Sequence, residues 1–118
     1  YTISFGMRNV SNLNKALKEE RSIFVSSICI WEMCLLIKRG RLRLNMDLED
    51  WLEEAERIPA LVFVPVDNIL SVHSSKLPGS FHKDPADRII VALARKMKVP
   101  LITADEKIIA YQHVKTLW

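Results

Sequence analysis

The chain has 118 residues, 49% of them hydrophobic and 26% charged, with a formal net charge of +3. That is one domain's length and an ordinary globular composition, which excludes two independent cores, a disordered chain and a fibrous repeat. No apolar run approaches the ~20 residues of a membrane-spanning helix, and neither a signal peptide nor a low-complexity tract is read in it. The positive balance permits nucleic-acid binding without demonstrating it. The first residue is Tyr1 rather than Met, so a missing front is expected.

In chain order, Asn9–Glu20 predicts a helix with Leu13, Ala16 and Leu17 on one face. Ile23–Val25 predicts a short strand. Ser26 or Ser27 can cap a helix running to about Lys38, with Gly40 as its stop. Asp47–Arg57 predicts another helix, Trp51, Leu52 and Ala55 facing inward. Leu61–Val64 is a second strand closed by Pro65, Asp67–Lys76 a helix, and Pro78-Gly79-Ser80 a turn. Pro85–Lys98 carries the clearest apolar stripe: Ile89, Ile90, Leu93, Ala94 and Met97. Leu101–Thr103 predicts a strand, Glu106–Tyr111 a short helix and Val114–Leu117 a last strand. Strands alternating with helices predict an α/β domain with a short, mainly parallel sheet, and sites outside the strands' carboxyl ends.

Two cysteines, Cys29 and Cys34, stand five apart, ~140° around a helix, where they cannot bridge each other. Zinc spacing and a C-x-x-C motif are both missing, so small buried thiols in a reducing, cytoplasmic compartment are expected.

Four acids stand out. Glu32 is the single charge in the ten-residue run Ile28–Ile37, which predicts a helix buried nearly all round. A lone buried carboxylate is costly unless paired or metal-bound, so Glu32 is a site candidate; a solvent gap or an arginine partner would also explain it. Asp84 and Asp87 open the Pro85–Lys98 helix. Capping and the helix dipole account for both, and the same position suits a bound cation. Thr103 and Glu106 form a T-x-x-E capping box, leaving Asp105 unexplained just past a strand end. Lys38, Arg39, Arg41 and Arg43 place four cations within six positions, either a solvated helix end or a phosphate contact. His73, His82 and His113 are scattered, and neither a Gly-rich phosphate loop nor a G-x-S-x-G elbow occurs. Carboxylates gathered without His or Cys ligands suit Mg²⁺ or Mn²⁺, and such clusters serve phosphoryl chemistry.

Three stretches together resemble the PIN-domain ribonucleases, and more closely the VapC toxins of toxin–antitoxin pairs. They are Ser26-Ser27-Ile28-Cys29-Ile30-Trp31-Glu32, then Phe81-His82-Lys83-Asp84-Pro85-Ala86-Asp87-Arg88-Ile89-Ile90, then Thr103-Ala104-Asp105. Tyr111, Val114, Trp118 and the basic turn Lys38-Arg39-Gly40-Arg41-Leu42 add to the likeness, which spans about residues 8–118. The resemblance implies a single PIN-like three-layer domain over 1–118 and a Mg²⁺- or Mn²⁺-dependent endoribonuclease. It implies Glu32, Asp87 and Asp105 as catalytic metal ligands, Asp84 as support and Thr103 as a catalytic hydroxyl near the metal, placed to orient the attacking water. Arg88 would be a structural partner or a phosphate contact, and Lys38, Arg39, Arg41 and Arg43 would grip RNA. A small cognate antitoxin and a homodimer, formed through a helix face such as that of Asp47–Arg57, are also implied, with no membrane association.

One departure stands out. That family's first acid ends an N-terminal central strand, whereas the first acidic residue here is Glu19. Tyr1–Phe5 alternates like a strand, but by spacing it reads as the tail of the family's first helix, its strand lost. The alternative function is then a degenerate PIN-like module that binds RNA or a protein partner without cleaving. An unrelated α/β protein whose acids are only caps is the third reading.

Overall fold

The computed structural model describes residues 2–3, 18–19 and 22–117. Among these, five strands and five helices follow one another: β1 (Thr2–Ile3), β2 (Ile23–Ser26), α1 (Ser27–Lys38), α2 (Leu48–Glu56), β3 (Leu61–Val64), α3 (Asn68–Ser75), α4 (Pro85–Met97), β4 (Leu101–Ile102), α5 (Glu106–Ile109) and β5 (Thr116–Leu117). The strands form one sheet in the order β3-β2-β1-β4-β5, with every pairing parallel. Parallel neighbours need crossovers, and the helices provide them. The short parallel sheet flanked by helices is the expected α/β architecture.

β-Branched and aromatic runs favour the pleated backbone, and β2 and β3 pair over their whole length, from Ile23 against Leu61 to Ser26 against Val64. β1 lies between β2 and β4, Thr2 opposite both Phe24 and Leu101. The loss of a central N-terminal strand, read from spacing, therefore needs correction. A slot between two strands satisfies backbone donors and acceptors on both edges, and the alternating Thr2–Ile3 segment fills it. In the sequence Ser4 follows, and no acid occurs before Glu19. The predicted Asn9–Glu20 helix falls outside the described residues except for Lys18 and Glu19, both exposed, and Trp118 falls outside them too.

The core centres on α4, which buries Ala86, Ile90, Val91, Ala92, Leu93 and Ala94. Ile90, Val91 and Ala94 pack with Cys29, Leu101, Ile108 and Tyr111, and Leu93 and Ala92 pack with Leu70. Asp84 caps α4, its Oδ1 accepting from Asp87 N at 3.0 Å, with Pro85 in the first turn. The helix thus starts at the sheet's carboxyl end and runs back against the strands.

α1 departs from expectation. Cys29 and Met33 are buried, but Trp31 is 55% exposed and Cys34 is also exposed. The helix packs on α4 and β2, so among the described residues its far side has no cover, and the apolar run is a poor guide to burial. Ser26 caps it directly from the end of β2, Oγ accepting from Ile28 N at 3.2 Å. It ends at Lys38 with Arg39 as its cap, and just beyond them Gly40, with a φ of +68°, lets Arg41 N reach back to Leu36 O at 2.9 Å. Among the described residues no helix is long and apolar enough to cross a membrane.

Candidate active site

Each of the four acids is placed by a local device. Glu32 rides in the second turn of α1, whose start is fixed by the Ser26 cap. Asp84 and Asp87 belong to the start of α4, cap and first turn. Asp105 follows β4 and is itself the N-cap of α5, its Oδ1 accepting from Lys107 N at 2.8 Å and Ile108 N at 3.3 Å. The Thr103–Glu106 capping box is thereby corrected. Thr103 is fully buried, and its Oγ1 accepts from Asp105 N at 3.1 Å. The Asp105 side chain reaches the free amides, and the Thr103 hydroxyl holds the turn that presents it.

The acids meet electrostatically. Burial, then the charges of Asp87 and Asp84, push the Glu32 carboxyl up to about 7. Burial, then Asp84 and Asp105, push Asp87 up to about 6, while His82 and Lys107 pull it back. Asp84 and Asp87 are therefore the hub, with Glu32 on one side and Asp105 on the other. Two depressions reflect this. One, of about 700 Å³, runs along α1 and holds Trp31, Glu32, Leu35, Leu36, Arg39 and Asp84. The other, of about 460 Å³, holds His82, Asp84, Asp87, Asp105, Glu106 and Lys107. Asp84 is shared between them.

Sequence reading missed His82 and Lys107. The His82 ring spans the start of α4, Nδ1 accepting from Asp84 N at 3.4 Å and Nε2 standing 3.1 Å from Asp87 Oδ2. That Nε2 is buried and off the line of a hydrogen bond. The one available signal was its position two residues before Asp84, and a histidine without a second one at ligand spacing does not mark a metal site. Lys107 carries no comparable signal. Arg88 is structural: it donates to Ser74 O, Phe81 O and His82 O at 2.9, 3.1 and 3.2 Å. Of the basic run, Arg39 shares the groove with Glu32, while Lys38, Arg41 and Arg43 are exposed beyond it.

The donor set fits a hard divalent cation in chemistry. It is all carboxylate oxygen, and its members hold one another's charge off by burial and repulsion, which a cation would relieve. As placed, no three His, Cys, Asp or Glu side chains among the described residues converge at coordinating distance. The caps occupy Oδ1 of Asp84 and Asp105; a carboxylate has a second oxygen, so a cap does not exhaust it.

A parallel open sheet with acids gathered beyond its strand ends defines a class of α/β domain whose chemistry sits at that edge. The family within that class is PIN: residues 3–114 match the PIN domain model, and the chain belongs to it. Ribonuclease VapC22 of Mycobacterium tuberculosis (strain ATCC 25618 / H37Rv) is 28% identical over 108 residues, covering 89% of this chain and 81% of the relative. The fold is shared with VapBC2 from Rickettsia felis, solved bound to a DNA fragment from its promoter. That match has a TM-score of 0.67 at 14% identity, covering 99% of this chain and 96% of the other. It is shared too with a toxin–antitoxin complex from Klebsiella pneumoniae, with a TM-score of 0.61 at 15% identity over 99% of this chain and 95% of the other.

Proposed function

We propose that this chain is a VapC-like endoribonuclease that hydrolyses RNA phosphodiester bonds with Mg²⁺ or Mn²⁺. The observation that carries the reading is the mutual charge repulsion among Glu32, Asp84, Asp87 and Asp105, four acids from three separate segments. Like charges held together in a half-buried place cost stability, and acids perturbed in this way cluster at functional sites. Membership of the PIN family and the likeness to a VapC ribonuclease support it.

Glu32, Asp87 and Asp105 would hold the ion, with Asp84 in support. When bound, such an ion would lower the pKa of a water and set positive charge against the phosphate. Thr103 acts through Asp105, whose backbone it pins, rather than on the water. Lys107, at the rim beside Asp105, offsets the charge of an incoming phosphate. Arg39 and its neighbours Lys38, Arg41 and Arg43 grip the RNA backbone, fixing position without reading sequence. A small antitoxin would restrain the enzyme by covering the groove along α1, where Trp31 is exposed beside Glu32. Dimerisation with a second copy and a cytoplasmic location complete the proposal.

Asp87→Asn tests it. Cleavage of RNA in Mg²⁺ or Mn²⁺ should fall at least ~100-fold, more than the loss typical of a supporting group around a metal. The melting temperature should not fall, because the asparagine removes a repelled charge. Equal cleavage by wild type and variant would refute the assignment. RNA binding with no cleavage by wild type in either ion would instead establish the non-cleaving module.

A further inference from the structure

Beside the acids lies another recess, of about 470 Å³, walled by Phe81, Tyr111, Gln112 and His113. His82 and Lys107 line it and also line the acid-bearing depression, so the two open side by side. The wall is a run of rings. Phe81 stands 4.3 Å from His82 and 4.6 Å from Tyr111, and Tyr111 stands 5.3 Å from His113, all centroid to centroid. The rim is polar: Gln112 Nε2 lies 3.4 Å from His113 Nε2, and Lys107 also borders the recess.

The walls are built to stay put. Arg88 clamps the carbonyls of Phe81 and His82, Arg95 donates to His113 O, and Tyr111 Oη donates to Pro78 O. Gly79 has a φ of +66°, and a Cβ there would sit 3.1 Å from His113 Nε2. Only a residue without a side chain lets the imidazole lie against that loop. Tyr111 is only 5% exposed and belongs to the core, so it backs the wall; the partly open rings of Phe81, His82 and His113 and the exposed Gln112 amide are the groups left to the recess.

We infer that this recess seats an unpaired nucleobase of single-stranded RNA, next to the phosphate at the acids. The inference rests on the RNA-cleaving reading of the neighbouring site. Aromatic faces stack on any base. An amide and imidazole nitrogens supply donors and acceptors for a base edge. Lys107, shared by both depressions, is placed to meet the phosphate between them. An aliphatic peptide side chain would make no use of that exposed polar rim.

The test uses the whole chain and short unstructured oligoribonucleotides in Ca²⁺, with binding read by fluorescence anisotropy while one abasic ribose is moved along the strand. One abasic position should weaken wild-type binding about tenfold, the size of one lost base–aromatic stack. Gln112→Ala and His113→Ala should weaken the intact strand and shrink the penalty at that position. Gln112 is exposed, so its variant keeps the test valid even where His113→Ala fails to fold. An equal abasic penalty in wild type and variants overturns the base seat, as does binding with no penalty at any position. The latter outcome would leave the recess to a protein partner. Cleavage of the same strands in Mn²⁺ is scored separately. A chain that cleaves with no abasic effect loses the base seat alone, and one that neither binds nor cleaves loses both readings.

Discussion

Removing the charge of Glu32 should stabilise the metal-free protein, though the residue is assigned to the site. Its carboxyl is pushed up to about 7 from an ordinary 4.5, and Asp87 is pushed up to about 6 from 3.8. In the unfolded chain both return to ordinary values. Between those limits the folded chain binds more protons than the unfolded one, so stability falls as pH rises. For Glu32 the favourable contribution is complete below about pH 4.5 and is gone once pH has passed about 7. A tenfold change in proton affinity is worth ~1.4 kcal/mol, and solvent screening at a half-buried group cuts the total to about 1–2 kcal/mol. Glu32→Gln keeps the shape and deletes the charge. In EDTA at pH 8 it should melt on the order of 3–8 °C above wild type. Melting curves from pH 5 to 8.5 should slope downward for wild type and flatten for the variant. Mn²⁺ should then raise the wild-type melting temperature more than that of the variant, since the ion binds only the folded state. A variant that melts below wild type at pH 8, or a wild type whose melting point does not fall between pH 5 and 8, refutes the reasoning.

Arg88→Ala breaks three hydrogen bonds to carbonyls of the 74–82 segment. It should cost about 3–5 kcal/mol in urea unfolding. Arg88→Lys should rescue little, because an ammonium cannot reproduce the fork; a lysine variant as stable as wild type would count against the clamp. Arg39→Ala with Arg41→Ala should lower the slope of log binding constant against log salt for single-stranded RNA by about 0.7 per lost phosphate contact. An unchanged slope would remove those residues from the interface.

What could be read from the sequence was whatever one local force decides. Asp84-Pro85 announces a helix start because a cap and a fixed φ act within one turn, and α4 begins there. The Ile23 and Leu61 runs announce strands because side-chain shape alone favours them. The four acids were legible as anomalies against their neighbours, and the family motif tied them together. Long-range packing decided the rest. Trp31 and Cys34 lie in a run that reads as buried, yet no described element covers that side of α1. Tyr1–Phe5 alternates like a strand, but spacing to the later motifs argued against it, and nothing local reveals that two other strands leave a place for Thr2–Ile3 between them. Asp105 rather than Thr103 caps α5, a matter of reach that letter spacing does not encode. His82 and Lys107 sit beside Asp87 only because separate segments fold together.

The passage from β2 to α1 contains no loop: Ser26 is the last residue of the strand and the cap of the helix. Strand register and helical phase are therefore geared to one another. One residue added before Ser26 must either slip β2 against β3, turning its side chains to the opposite face, or rotate α1 by about 100° and swing Glu32 off its bearing. The aim of that carboxylate is set like a clock hand, by counting residues back along the sheet.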